Sequence, residues 1–167
     1  INSFAIIVIA FLEKCNIIYA EDTRNALKLF RALAIEVSGK KIVSCYQQNE
    51  SSRVAGVTED LLAGNDVILM TDAGAPGVSD PGSLLVKEVI LAGISVEVVP
   101  GASAVIAALM GSGLIVSKFA FLGFLPKTGR KRKDSILNPF ALGLSLVIFE
   151  SPMRIKKTLV DLFQILG

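Results

Sequence analysis

The sequence predicts an α/β fold, an open and mostly parallel sheet with helices on both faces, followed by part of a second α/β domain. Three observations predict it. Short runs rich in β-branched and aromatic residues alternate with stretches of helical periodicity. Those runs are apolar almost throughout, as strands covered on both faces are. Gly39, Gly64 and Gly93 stand where the intervening helices should stop.

In chain order, residues 4–12 read as an apolar, helix-like run. Strands are expected at 17–20, 41–46, 66–71, 95–99, 119–125 and 144–150. Helices are expected between them. Leu27, Phe30, Leu33 and Ala34 share one face of 24–35, and Val54, Val57, Leu61 and Leu62 one face of 53–62. Leu85, Val89 and Ala92 recur on the next helix, and Ile155, Leu159, Leu162 and Leu166 on the last. A doubly wound domain rarely begins on a helix, so residues 1–117 are expected to form an N-terminal α/β domain without its first strand and loop. Residues 118–167 would then begin a C-terminal α/β domain.

Composition narrows the class. A chain of 167 residues with 52% hydrophobic content is not a disordered segment. Its mean hydropathy of +0.62 raises the question of a membrane span. The uncharged runs 4–12 and 141–149 fall well short of the roughly 20 residues a spanning helix needs. Residues 101–116 are interrupted by Gly111, Ser112 and Gly113, and read as a buried helix with its exit turn. No signal-peptide pattern is present, and Cys15 and Cys45 are widely spaced, which fits reduced thiols in a cytoplasmic protein. Histidine is absent, which excludes Ser-His-Asp and Cys-His catalysis and histidine-ligated metals within this sequence. Two isolated cysteines make no zinc site, so no metal is expected. The net charge of +2 means that any nucleic-acid surface must be local.

The chemistry gathers at the strand ends. DAGAPGVSDPG at 72–82 places three glycines, two prolines and two aspartates between a strand and a helix. Glycine permits φ > 0 and close approach of a ligand, and proline stiffens the turn. Ligands of open α/β sheets sit beyond the carboxyl ends of the strands. A tight connection alone would explain the glycines and prolines, but not the interleaved acids. At 20–24, AEDTR offers Thr23 as a helix N-cap, with Glu21, Asp22 and Arg24 left to line a cleft. At 98–104, VVPGASA brings small residues to a helix start. No phosphate loop or G-x-G-x-x-G motif exists, and acids at these junctions would repel phosphate. They suit a cationic, hydroxyl-bearing ligand such as S-adenosylmethionine. Residues 127–133 hold five basic residues, expected as a solvated loop or a phosphate-backbone contact. FESPMR at 149–154 offers Ser151 as cap and Pro152 as first helical residue, leaving Glu150 and Arg154 for an ion pair or a site.

These junctions, with QNE at 48–50 and FLGFLP at 121–126, resemble the tetrapyrrole methylase superfamily. The likeness is to its branch of bacterial small-subunit (16S) ribosomal RNA cytidine 2′-O-methyltransferases. The resemblance implies a class III methyltransferase-like fold, a homodimer, and S-adenosylmethionine held in a cleft between two α/β domains. By matching position it implies cofactor contacts from Asp72, Ala73, Gly74, Val78, Ser103, Ala104 and Glu150. The family's opening Thr-Pro-Ile-Gly-Asn-like loop has no counterpart here, and Met153 replaces the usual histidine of the last motif.

The implied reaction is an in-line methyl transfer to a ribose hydroxyl in the small ribosomal subunit. Asp22, Arg24 and Glu150 are the candidate catalytic groups, chosen for chemistry and for their place at strand ends. Lys127, Arg130, Lys131, Arg132 and Lys133 are the candidate RNA contacts. Two alternatives stand beside this reading: a corrin or porphyrin methylase, and a non-catalytic RNA-binding module with a decayed cofactor pocket.

Overall fold

The computed structural model describes residues 3–114 and 116–167, in two compact units that divide between Ala102 and Ser103. The position expected for a domain boundary, Ser117 and Lys118, falls within the second unit.

The first unit contains α1 (Ser3–Lys14), β1 (Ile17–Ala20), α2 (Thr23–Ala32), β2 (Lys41–Ser44), α3 (Glu50–Leu62), β3 (Val67–Met70) and α4 (Ser83–Leu91). Its sheet is wholly parallel, in the order β2-β1-β3, with Ile18 opposite Ile42 on one side and Ile68 on the other. Central β1 is buried along its whole length, and its alternation feeds two cores. Ile18 and Ala20 join Leu12, Ala26 and Phe30 on one face. Ile17 and Tyr19 join Cys45, Val57, Leu85 and Val89 on the other. Both cysteines are buried free thiols, in agreement with the sequence reading.

Several local expectations need correction. Residues 95–99 form no strand; they pair with no neighbour, and Val96, Val98 and Val99 are exposed. β-Propensity makes a strand only where a partner completes the ladder, and β3 pairs with β1 alone. Asp22, not Thr23, is the N-cap of α2, its carboxylate accepting the Arg24 amide at 2.9 Å. Gly39 does not end that helix. Ala34 does, at φ 56, with the Ile35 amide reaching back to the Phe30 carbonyl at 2.8 Å. Gly64 and Gly93 do follow α3 and α4 with positive φ.

The second unit contains α5 (Ala104–Gly111), β4 (Phe119–Phe124), α6 (Arg130–Ala141), β5 (Ser145–Phe149) and α7 (Ile155–Leu166). Strands β4 and β5 run parallel, with an irregularity between Phe121 and Phe124. Phe121 and Phe149 pack edge to face, their rings 4.8 Å apart. The helix expected to be buried within 101–116 is α5, and only Val105 of it is buried. The basic segment expected as a loop is helical from Arg130 onward. Arg and Lys are good helix formers, and Arg130 pairs with Asp134 one turn ahead at 3.4 Å. Ser151 and Pro152 do not open α7; residues 151–154 make a separate turn before Ile155.

Candidate functional site

In the first unit, the parallel register carries the ends of β1 and β3 to the same sheet edge, where the two acidic junctions meet. The Glu21 amide bonds to the Met70 carbonyl at 3.1 Å, extending the ladder by one residue. The Asp72 amide donates in return to Glu21 Oε2 at 3.2 Å. Asn25, on the first turn of α2, donates from Nδ2 to Asp72 Oδ2 at 2.8 Å. Glu21, Asn25 and Asp72 therefore form one polar rim.

Asp22 and Arg24 stand differently from what the sequence suggested. Arg24 Nε and Nη2 reach the two Asp22 oxygens at 3.0 and 2.6 Å, a bidentate pair. The Arg24 hydrogen bonds, helped by amides at the helix start, pull the Asp22 carboxyl down to about 2. A carboxylate so stabilised, already capping a helix, is a poor proton acceptor near neutral pH. Its geometry assigns Asp22 to holding α2 and orienting Arg24, whose guanidinium is largely exposed.

The 72–82 loop folds back on itself. The Gly77 amide bonds to the Pro81 carbonyl at 2.9 Å, and the Val78 amide to the Ala75 carbonyl at 3.1 Å. Two glycines are needed for their positive φ. Gly74 has φ +75, and a Cβ there would lie 2.7 Å from Asp80 Oδ2. Gly82 has φ +125, and a Cβ would lie 2.6 Å from Leu69 Cδ2. Asp72, Ala73, Gly74 and Val78 are exposed along this loop, whereas Pro81 and Gly82 are buried beneath it. Burial, and then the nearby Glu21 charge, push the Asp80 carboxyl up. The edge thus gathers the carboxylates of Glu21, Asp72 and Asp80.

Sequence reasoning gave Glu50 no role, yet it anchors the loop. This buried carboxylate at the start of α3 accepts the amides of Gly82 and Leu85, each at 3.0 Å, through one oxygen. It supplies from outside the chain segment the cap that Gly82 lacks for α4. Its only sequence signal was its place in the QNE motif at 48–50, ahead of the helix expected at 53–62, and its partners lie more than thirty residues away.

In the second unit, Ser103 caps α5, its Oγ accepting the Ile106 amide at 3.4 Å, and Ala104 opens that helix. Glu150, at the end of β5, has an almost fully buried carboxylate. Thr158 donates its hydroxyl to one oxygen at 2.7 Å, Arg154 lies 3.2 Å from the same oxygen, and the Ser151 amide bonds to the other at 2.9 Å. Burial by itself would raise its pKa. The hydrogen bonds and the charges of Arg154 and Arg132 outweigh burial, and the net shift is downward. Glu150 is thus occupied on both oxygens as a structural anchor and is poorly suited to general base catalysis.

Arg132 also departs from its expected place among exposed RNA contacts. It is buried, donating to Asp161 Oδ2 at 2.8 Å, the Pro126 carbonyl at 2.9 Å and Thr158 Oγ1 at 2.8 Å. Its neighbours Lys127, Arg130, Lys131 and Lys133 are exposed.

A parallel α/β sheet with a glycine- and acid-rich loop at its carboxyl edge places the chain in the α/β class, whose ligands sit beyond the carboxyl ends of the strands. The model of the tetrapyrrole (corrin/porphyrin) methylase family matches residues 5–166, and the chain belongs to that family. It is 38% identical over 156 residues to a ribosomal RNA small subunit methyltransferase I of Halalkalibacterium halodurans, covering 93% of this chain and 53% of that protein. It is 40% identical over 158 residues to the protein of the same name from Mycobacterium tuberculosis H37Rv, covering 95% and 55%. The chain therefore spans about half the length of these curated relatives. A crystal structure of a conserved hypothetical protein from Aeropyrum pernix K1 shares the fold, with TM-score 0.63 at 21% identity. That match covers 85% of this chain and 51% of the other.

Proposed function

We propose that this chain carries the methyl-donor site of an S-adenosylmethionine-dependent methyltransferase acting on small-subunit ribosomal RNA, at the ribose 2′-hydroxyl of a cytidine. The observation that carries the reading is the preformed, acid-rimmed loop at 72–82. Its chemistry fits the donor. Glu21 and Asp72 offer acceptors to ribose hydroxyls and an ammonium group, and their charge favours a sulfonium. Hydrogen bonds within the loop, and from Gly82 to buried Glu50, hold its backbone, so less ordering entropy is lost on binding. The names of the relatives support the RNA acceptor.

When bound, S-adenosylmethionine supplies an electrophilic methyl group. The protein's own residues do the rest. Asp72, Ala73, Gly74 and Val78 would hold the donor. Arg24 is an exposed guanidinium, oriented by Asp22, able to lower the pKa of an approaching hydroxyl or to hold a phosphate. Holding acceptor oxygen and methyl carbon in line accounts for much of such a rate, up to about 7–11 kcal/mol in favourable cases. The test uses small subunits from cells that lack the modification, incubated with the protein and methyl-labelled cofactor. Label in a 2′-O-methylcytidine of the small-subunit RNA is the expected result. Label in added corrin or porphyrin acceptors, and none in RNA, would overturn the assignment.

A further inference from the structure

We infer that the cavity between the loop before α6 and the outer face of α7 seats a phosphodiester of the RNA acceptor strand, and that Lys157 belongs to it. This rests on the RNA reading above and extends it to a defined contact. The cavity is open, with a volume of about 230 Å³. Its rim carries Lys127 and Gly129 from the loop, Lys133 from α6, and Lys157, Asp161 and Gln164 from α7. The three α7 residues are spaced i, i+4 and i+7, one face of that helix.

Charge decides what the cavity takes. Lys127, Lys133 and Lys157 are exposed and form no ion pair among the described residues, whereas Asp161 is held by buried Arg132 at 2.8 Å. Three unpaired cations therefore surround a concave space whose one acid is neutralised. Arg132 fixes the shape. By bonding the Pro126 carbonyl on the loop and both Thr158 and Asp161 on α7, it ties the two walls together. Arg132 is a positioning residue here, not an RNA contact. Gln164 offers an amide donor, and no side chain caps α6, so its first amides remain open to an anion. Donor set and charge suit the single negative charge of a phosphodiester, and the lysine spread suits a backbone running past rather than a base.

The measurement is the salt dependence of affinity for protein-free small-subunit RNA. The wild-type protein is compared with K127A/K133A/K157A, with K157A alone, and with K156A, which removes an adjacent exposed lysine outside the cavity. Each lost contact to single-stranded RNA lowers the log–log salt slope by roughly 0.7, so the triple variant should lose about 2 from the slope. Near 0.1 M salt that corresponds to roughly 100-fold weaker binding. K157A should lose roughly 0.7 and K156A much less, with circular dichroism and melting unchanged in all. A triple variant that binds with the wild-type slope, or K156A matching K157A, would overturn the cavity as a seat. Inorganic phosphate serves as a second probe, by amide NMR shifts of Gly129 and Lys157. Shifts with phosphate but an unchanged RNA slope would assign the cavity to a free phosphate ligand and refute the RNA contact. Failure of the wild-type protein to bind RNA at all would instead count against the broader RNA reading.

Discussion

Replacing Glu50 tests whether the 72–82 loop is held from beneath by one buried carboxylate. Its Oε1 accepts the amides of Gly82 and Leu85, both buried residues, at 3.0 Å each. Glu50→Ala leaves two buried donors without an acceptor, at about 1–3 kcal/mol apiece. It also removes a negative charge from the positive end of α4, which is worth up to about 1 kcal/mol more. The loss should total about 2–7 kcal/mol, a large share of the roughly 5–15 kcal/mol stability of a domain. Glu50→Gln keeps an acceptor and loses only charge assistance, so it should cost about 1 kcal/mol. Urea unfolding followed by far-ultraviolet circular dichroism gives the two values. Amide exchange by NMR gives a site-specific reading, because the Gly82 and Leu85 amides should lose protection first in Glu50→Ala. Equal stabilities for the two variants, or full protection of both amides in Glu50→Ala, would refute the anchoring role.

Other expectations follow from the same structure. Gly82→Ala should destabilise by about 2 kcal/mol or more in urea titration, since its φ is +125 and its Cβ would meet Leu69 at 2.6 Å. Gly93→Ala, at φ +77 with open space around it, should cost only about 1 kcal/mol. Tyr19 is pushed up to about 12, first by burial and then by its hydrogen bond to Asp60. A raised folded-state pKa stabilises fully below the unfolded value near 10, so stability should fall as pH climbs from about 10 through 12. Tyr19→Phe should flatten that fall in thermal melts taken across the range. Arg132→Met removes three donated hydrogen bonds from a buried position and strands Asp161, and should cost about 3 kcal/mol in melting of the second unit. Arg132→Lys should recover only part of it, lacking the planar fork.

How much was legible in the sequence varied with the range of the interaction. β1 starts and ends where the sequence places it because it is buried on both faces, and α7 carries the expected apolar spacing but opens at Ile155, past the Ser151–Pro152 start expected for it. The clustering of Glu21 and Asp72 followed from parallel strand order alone, since both lie just past the end of a strand. The unpaired 95–99 segment shows the limit. Its composition is that of a strand, but pairing is a property of the neighbour. Glu50 was missed because a carboxylate reaching another helix start leaves no local pattern. Arg132 was hidden inside a basic run that looked uniformly solvated. A helical reading would have separated it, since Ile136 lies four residues on and shares its buried face. Glu150 was correctly placed at a strand end, but the hydrogen bonds that occupy it come from Thr158 on the following helix.

The negative charge of the loop at 72–82 is expected to be what binds a cationic methyl donor. Isothermal titration of S-adenosylmethionine into the wild-type protein and Asp72→Asn tests it directly. Asparagine keeps the size of Asp72 and can still pair with Asn25, so only the negative charge is lost. At least tenfold weaker binding is expected, equivalent to about 1.4 kcal/mol, with a smaller loss for the uncharged-sulfur product S-adenosylhomocysteine. Binding of S-adenosylmethionine with wild-type affinity would contradict the claim.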